Sequence, residues 1–555
     1  MSDWWKKAVV YQIYPQSFQD SNGDGIGDLK GIMSRLDYLQ SLGVNTLWLT
    51  PIYESPMVDN GYDVADYKAI NPIYGTMDDF DQLLKDVHDR HMHLLMDMVV
   101  NHTSDQCKWF QESKKSRTGK YADYYIWEDP KPDGSAPTNM GGVFGGSAWE
   151  YVPERKQYYL HMFAKQQVDL NWDNPEVRKA VYDCMIFWAK KGVDGFRLDS
   201  LNSLSKRRPF VDLPKAAGSD YGNVFACVSN GPHLHEYLRE MNKEVFSKYD
   251  MLTVGETSNT TVEEATKYIR PDELSMVFQF EHMDVDSGRF GQYSNVRFKM
   301  SDLRDTLAKW QKGMAWNALY LGNHDQPRLV SRFGDDKHFR KESAKMLATM
   351  YILQKGTPYI FEGDEIGMTN VNFKSIDDYH DLDSHQIYNH MLDWGVSKEE
   401  ALDIIQRKSR DNGRTPFQWD DSKEAGFTTG KPWMTVNANY KQINAAEAEK
   451  DPDSILAYYK KLLKLRNNTA TLIEGDFKLL SADDSSIFAY QRSDDKATYL
   501  VITSFAKEKV RYDLATIDKQ FDQLELALNN YDDLEESDNV LYLKPYQALV
   551  LKVKD

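Results

Sequence analysis

Three acidic stretches follow one another in the chain: Gly195-Phe196-Arg197-Leu198-Asp199, Thr253-Val254-Gly255-Glu256 and Gly322-Asn323-His324-Asp325. Each closes a short apolar run of the kind that makes a buried strand, VDGFRLD, MLTVGE and NALYLGNHD. Carboxylates leaving the same end of successive parallel strands meet at one mouth, where barrel enzymes hold their chemistry. Arg197 lies two residues before Asp199, hence on the same strand face, and its charge favours an ionised Asp199. Glu256 has no neighbouring cation in sequence, so burial can raise its pKa. An ionised carboxylate facing a protonated carboxyl is what cleavage of a glycosidic bond with retained configuration requires.

Such residues need strands to aim them. Eight strand-like runs alternate with amphipathic segments: 9–15, 45–51, 93–102, 193–200, 251–256, 276–282, 317–325 and 357–365. The clearest helix runs from Asn174 to Lys191, with Pro175 in its first turn and Gly192 as its stop. This is the pattern of an α/β protein, a (β/α)8 TIM barrel. Residues 103–173 replace one short connection with a Gly-, Trp- and Tyr-rich segment, read as a small inserted domain after the third strand. A second long stretch, 370–440, precedes a final helix at 453–466, and residues 476–555 change to short alternating runs expected to form a C-terminal antiparallel β-sandwich. The barrel domain would then comprise 1–102 and 174–475.

Composition narrows the partners. A formal charge of −18 over 555 residues argues against a nucleic-acid groove and an anionic membrane surface. Three scattered cysteines suit neither a disulfide framework nor a zinc site. No apolar stretch reaches transmembrane length, and the N-terminal residues show no secretory h-region, so a soluble cytoplasmic monomer is expected. The 33 Tyr and 13 Trp fit stacking on sugar rings as well as a core.

Taken with DMVVNH (97–102), QVDLN (167–171) and RDNGRTPFQW, these stretches resemble the α-glucosidases of the α-amylase clan, glycoside hydrolase family 13, in the oligo-1,6-glucosidase and dextran glucosidase branch. The resemblance spans nearly the whole chain. It implies that Asp199 is the nucleophile, Glu256 the general acid/base and Asp325 the residue that binds sugar hydroxyls and stabilises the transition state. His102 and His324 would donate hydrogen bonds to the sugar. Within Asp59-Asn60-Gly61-Tyr62-Asp63, Tyr62 would stack on the terminal glucose, and Asp59 would pair with Arg414 to close the pocket and make the enzyme exo-acting. Phe144 and Phe280 are candidate walls. The substrate would be a small oligosaccharide, with no cofactor in catalysis.

Asp20-Ser21-Asn22-Gly23-Asp24-Gly25-Ile26-Gly27-Asp28 places oxygens at alternate positions around a glycine, like the first half of an EF-hand loop, although Gly31 stands where such a loop has Glu. The resemblance implies a structural Ca2+ here, held by Asp20, Asn22, Asp24, Asp28 and the Ile26 carbonyl.

Two positions depart from the branch. Val after the nucleophile accompanies α-1,6 preference there, and Thr or Ala accompanies α-1,4 or sucrose activity; this chain has Ser200. Thr257 to Thr261, after Glu256, is more like trehalose-6-phosphate hydrolases, whereas FQFEHMD is the oligoglucosidase form. The basic run Lys206-Arg207-Arg208 near the mouth reads as a solvated face. The expected activity is therefore a retaining exo-α-glucosidase acting first on isomalto-oligosaccharides. Alternatives are an α-1,4-glucosidase, trehalose-6-phosphate or sucrose-type chemistry including transglucosylation, and, more remotely, a non-catalytic carbohydrate-binding relative.

Overall fold

The computed structural model describes residues 3–215 and 220–554. All eight expected runs contain strands: β1 (Val10–Ile13), β2 (Thr46–Leu49), β3 (His93–Val99), β4 (Gly195–Asp199), β5 (Leu252–Thr257), β6 (Met276–Gln279), β7 (Ala318–Leu319) and β8 (Thr357–Phe361). They lie in the order β6-β5-β4-β3-β2-β1-β8-β7 with parallel pairing throughout. Sequence neighbours are spatial neighbours, and β1 joins β8, so the sheet curls into a (β/α)8 barrel.

β7 is shorter than its apolar run. Only Ala318 and Leu319 join the ladder, because side chains serve the next residue instead. The Tyr320 hydroxyl donates to the Gln279 carbonyl at 2.7 Å, and His282 Nε2 lies 2.8 Å from the Tyr320 carbonyl. These bonds span the seam between β6 and β7.

The expected long helix, α1 (Pro175–Lys191), is capped by the Asn174 side chain, which accepts from the Glu176 N–H, and ends at Gly192. Between β3 and α1 an antiparallel sheet of Trp127–Glu128, Gln157–Leu160 and Trp149–Val152 packs Trp149 and Leu160 with Met140 and Met162 into a small core of its own. At the C-terminus a five-stranded and a three-stranded antiparallel sheet enclose Ile487, Ile502, Leu541, Leu549 and Leu551. Among the described residues no helix is long and apolar enough to cross a membrane.

Register positions the chemistry. β3 and β4 set Asp97 opposite Arg197, and β4 and β5 set Leu198 opposite Gly255. A Cβ on Gly255 would lie 2.4 Å from Leu201 Cδ2, so glycine permits the turn after β4 to press against β5.

Candidate active site

A cavity of about 530 Å3 opens at the C-terminal ends of the strands. Its lining includes Asp59, Tyr62, His102, Phe144, Asp199, Ser200, Glu256, Phe280 and Asp325, nine of the residues selected from sequence. Arg197, His324 and Arg414 stand behind this wall, at 2%, 0% and 1% exposure. Gln167, Asn259, Asp284, Asp383 and Arg410 also line it and were not selected.

Arg197 is the hub. Its Nη1 lies 2.7 Å from Asp199 Oδ1 and 2.9 Å from Asp97 Oδ1, and its Nη2 lies 3.1 Å from Glu256 Oε2. Glu256, which lacks a cation in sequence, therefore has one in space. Glu256 Oε2 also accepts the Ser200 N–H at 2.8 Å. Burial nevertheless outweighs the guanidinium and raises Glu256 to about 7. The expectation that Arg197 holds Asp199 down needs correction: burial raises Asp199 to about 6 despite Arg197, so Arg197 limits the rise rather than reversing it. Glu256 stays the weaker acid of the two. Asp325 behaves oppositely. Burial pushes it up, but His324, Arg410 and Arg414 outweigh that and hold it well below the usual carboxylate range.

Asp59 is not paired with Arg414. Its carboxylate meets Arg410 Nη2 at 3.4 Å and accepts from Gln167 Nε2 at 3.0 Å, while Arg414 Nη2 lies 2.8 Å from Asp325 Oδ1. Both arginines stand on one short helical turn, and Arg410 is the one that reaches the cavity, with Phe144 over its guanidinium at 5.3 Å. The histidines differ as well. His102 lines the cavity, with Nε2 3.0 Å from the Tyr62 carbonyl. Both ring nitrogens of His324 meet protein groups, Gln12 on one side and Tyr62 and Asp325 on the other, so it braces Asp325 and leaves no nitrogen for a sugar hydroxyl.

Ser200 adopts left-handed backbone angles, φ 46° and ψ 35°, which turn its N–H onto Glu256. Thr257 faces away from the cavity and donates its hydroxyl to the Phe278 carbonyl at 3.0 Å, as strand alternation from the inward Glu256 requires. Ser258 and Asn259 line the wall instead. Lys206 is not solvated: it is buried, 2.9 Å from Asp169 Oδ2 and 2.7 Å from Asn101 Oδ1. Arg207 is spent on the Ser229 and Asn230 carbonyls.

In the loop at residues 20–28, Asp20 accepts the N–H groups of Asn22, Gly23 and Gly25, and Asp28 accepts the N–H and hydroxyl of Ser21. Asn22 and Asp24 each accept one N–H two residues on. Among the described residues no cluster of three or more His, Cys, Asp or Glu could by itself hold a metal ion. Asp20, Asp24 and Asp28 do not form such a cluster, and each of these carboxylates accepts backbone N–H groups of its own loop.

The profile of the alpha amylase catalytic domain matches residues 12–475. An oligo-1,6-glucosidase of Bacillus cereus is 51% identical over 99% of both chains. The crystal structure of a trehalose-6-phosphate hydrolase from Bacillus licheniformis is 46% identical and superposes with a TM-score of 0.93 over 100% of both chains. That of a trehalulose synthase from Pseudomonas mesoacidophila MX-45 is 42% identical, with a TM-score of 0.93 over 100% of both.

Proposed function

The chain belongs to the alpha-amylase family and is a glycoside hydrolase, and on that footing we propose that it is a retaining, exo-acting α-glucosidase releasing terminal glucose from short α-glucans, isomalto-oligosaccharides first. The observation that carries this reading is one guanidinium, Arg197, holding Asp199 and Glu256 at the wall of a cavity that Asp59 and Arg410 also line. Both donors to Glu256, from Arg197 and Ser200, engage Oε2. The acid proton then sits on Oε1. Asp199 attacks the anomeric carbon while Glu256 passes that proton to the departing glycosidic oxygen, leaving a glucosyl–Asp199 ester. Glu256, now ionised, takes a proton from water, whose oxygen attacks from the face the glycosidic oxygen left, opposite Asp199, breaks the ester and frees α-glucose. Asp325, kept ionised by its arginines, would bind sugar hydroxyls.

Charge favours a neutral sugar over a sugar phosphate. The lining carries six carboxyl residues, Asp59, Asp199, Glu256, Asp284, Asp325 and Asp383, against one guanidinium, Arg410. Arg410 already meets Asp59, Asp325 and Asp381, and burial lowers the pKa of His102, which disfavours its cationic form. A phosphate would find no uncommitted cation in this lining. Release of p-nitrophenol from its α-glucoside, followed by a panel of isomaltose, maltose, sucrose, trehalose and trehalose-6-phosphate, tests the reading. Isomaltose should give the highest kcat/KM; preference for the phosphate would overturn it.

We assign linkage choice to Ser200, which lines the cavity beside Asp199 and Glu256. Ser200→Val should raise the ratio of isomaltose to maltose kcat/KM, and Ser200→Thr should lower it. One methyl-sized change in a pocket is worth roughly 10–200-fold in discrimination. A β-branched side chain at φ 46° also costs stability, so the ratio is the readout, not the absolute rate. Equal ratios in all three proteins would move the assignment to Ser258 and Asn259.

We assign the loop at residues 20–28 a structural Ca2+, held by Asp20, Asn22, Asp24, Asp28 and the Ile26 carbonyl, with no part in the chemistry. Chelation should lower the apparent melting temperature, leave turnover of folded protein unchanged, and be mimicked by Asp24→Ala. An unchanged melting temperature would remove the ion from the account.

A further inference from the structure

Behind Arg197 runs a chain of buried hydrogen bonds that starts on β1. The Gln12 side chain, 1% exposed, places Nε2 2.7 Å from His324 Nδ1. On the other side of the ring, His324 Nε2 lies 2.6 Å from the Tyr62 hydroxyl and 3.2 Å from Asp325 Oδ2. The Tyr62 hydroxyl is 3.0 Å from Asp97 Oδ2, and Asp97 is held by Arg197. The polarity of each link is forced. Asp325 is an anion between Arg410 and Arg414, so the imidazole nitrogen beside it must carry the hydrogen. A neutral ring then has a bare Nδ1, and of the two ends of the Gln12 carboxamide only the NH2 can satisfy it. With Nε2–H donating to it, the Tyr62 oxygen is free to give its own proton to Asp97. That leaves Asp97 ionised against Arg197, which in turn orients Asp199 and Glu256.

We propose that Gln12 is a positioning residue that stabilises the Nε2–H tautomer of His324 by donating to its bare Nδ1, and thereby supports the direction of every hydrogen bond leading to Arg197. In the opposite tautomer Nδ1–H would face the amide hydrogens of Gln12 until the amide turned its oxygen to the ring, and a lone pair on Nε2 would face the Asp325 carboxylate. Tyr62 would have to donate to Nε2 and abandon Asp97. Burial keeps the ring neutral in the native arrangement, lowering its pKa to about 3. The charged or titratable groups facing it are Asp325, Tyr62, Tyr14, Arg197, Arg410 and Arg414.

The inference rests on the roles proposed above for Asp199 and Glu256, and two isosteric changes test it. Gln12→Leu removes the donor and should lower kcat roughly 10- to 100-fold at every pH with little change in KM, the scale expected when reacting groups are misaligned. Gln12→Glu puts a carboxylate beside Nδ1 and raises the imidazole pKa. Below that pKa the ring is doubly protonated, Nε2–H persists and activity should approach wild type. Above it the remaining proton stays on Nδ1, so Gln12→Glu should acquire an additional alkaline loss that Gln12→Leu lacks. A residue that merely filled space would not produce that crossing. Wild-type kcat in Gln12→Leu, or a Gln12→Glu profile parallel to wild type, would overturn the proposal. Nitrogen-15 NMR of histidine-labelled wild-type protein reads the tautomer without any turnover: His324 should be protonated on Nε2, and protonation on Nδ1 would refute the proposal even if Gln12→Leu did not fold. A wild-type protein inert on every α-glucoside would instead count against the proposed function and leave the tautomer measurement standing.

Discussion

Asp199→Ala and Glu256→Gln should each lower kcat/KM for an α-glucoside on the order of 10³-fold or more, the largest effects expected of any single change. Asp199→Ala removes the atom that bonds to the anomeric carbon, and no other carboxylate shares its contact with Arg197 Nη1 from the cavity wall. Glu256→Gln keeps shape and burial but cannot deliver a proton. Its signature is therefore selective: p-nitrophenolate, which leaves without protonation, should suffer less than isomaltose. The pH profile adds a check. Activity should rise as Asp199 ionises about pH 6 and fall as Glu256 loses its proton about pH 7. The descending limb should vanish in Glu256→Gln.

Arg197→Met should be the most damaging change to stability. It leaves Asp97, Asp199 and Glu256 in a nearly dry site without the cation that all three touch. Removing one partner from a buried ion pair costs about 3–5 kcal/mol. In the variant these carboxyls would be held neutral, their folded pKa values raised above the unfolded ones of roughly 4. A raised folded pKa gives stability that is complete below the unfolded value and lost as pH rises through the folded one. The variant should therefore lie nearest wild type at low pH and fall further behind towards pH 8. A constant gap across that range would mean the damage is packing, not charge.

The meeting of Asp199, Glu256 and Asp325 at one cavity was legible because each lies in or follows a buried strand, and parallel strands in sequence order bring their ends together without further information. Arg410 was not. It shares its stretch with Arg414, both four residues apart in RDNGRTPFQW, and which one reaches Asp59 depends on a long irregular segment that no periodicity describes. Lys206 looked like one of three solvated basics, and its partner Asp169 lies in a different segment, so only the fold reveals the buried pair. β7 was overread because apolar content alone does not show that side chains of neighbouring segments will take its hydrogen bonds. Thr257 could have been set aside from alternation alone, since an inward Glu256 obliges it to face outward. Gln12 carried no signal at all: a single amide on the first strand acquires meaning only when His324, 312 residues later, lies against it.

The central claim is that Asp199 and Glu256 work as a nucleophile and acid/base pair with retained configuration. Proton NMR of glucose in the first moments of isomaltose hydrolysis, before mutarotation, tests it most directly. The account requires the α-anomer to appear first, with the β-anomer growing in only as the sugar equilibrates. Initial release of β-glucose would mean direct displacement by water, and would contradict the assignment of Asp199 as the nucleophile.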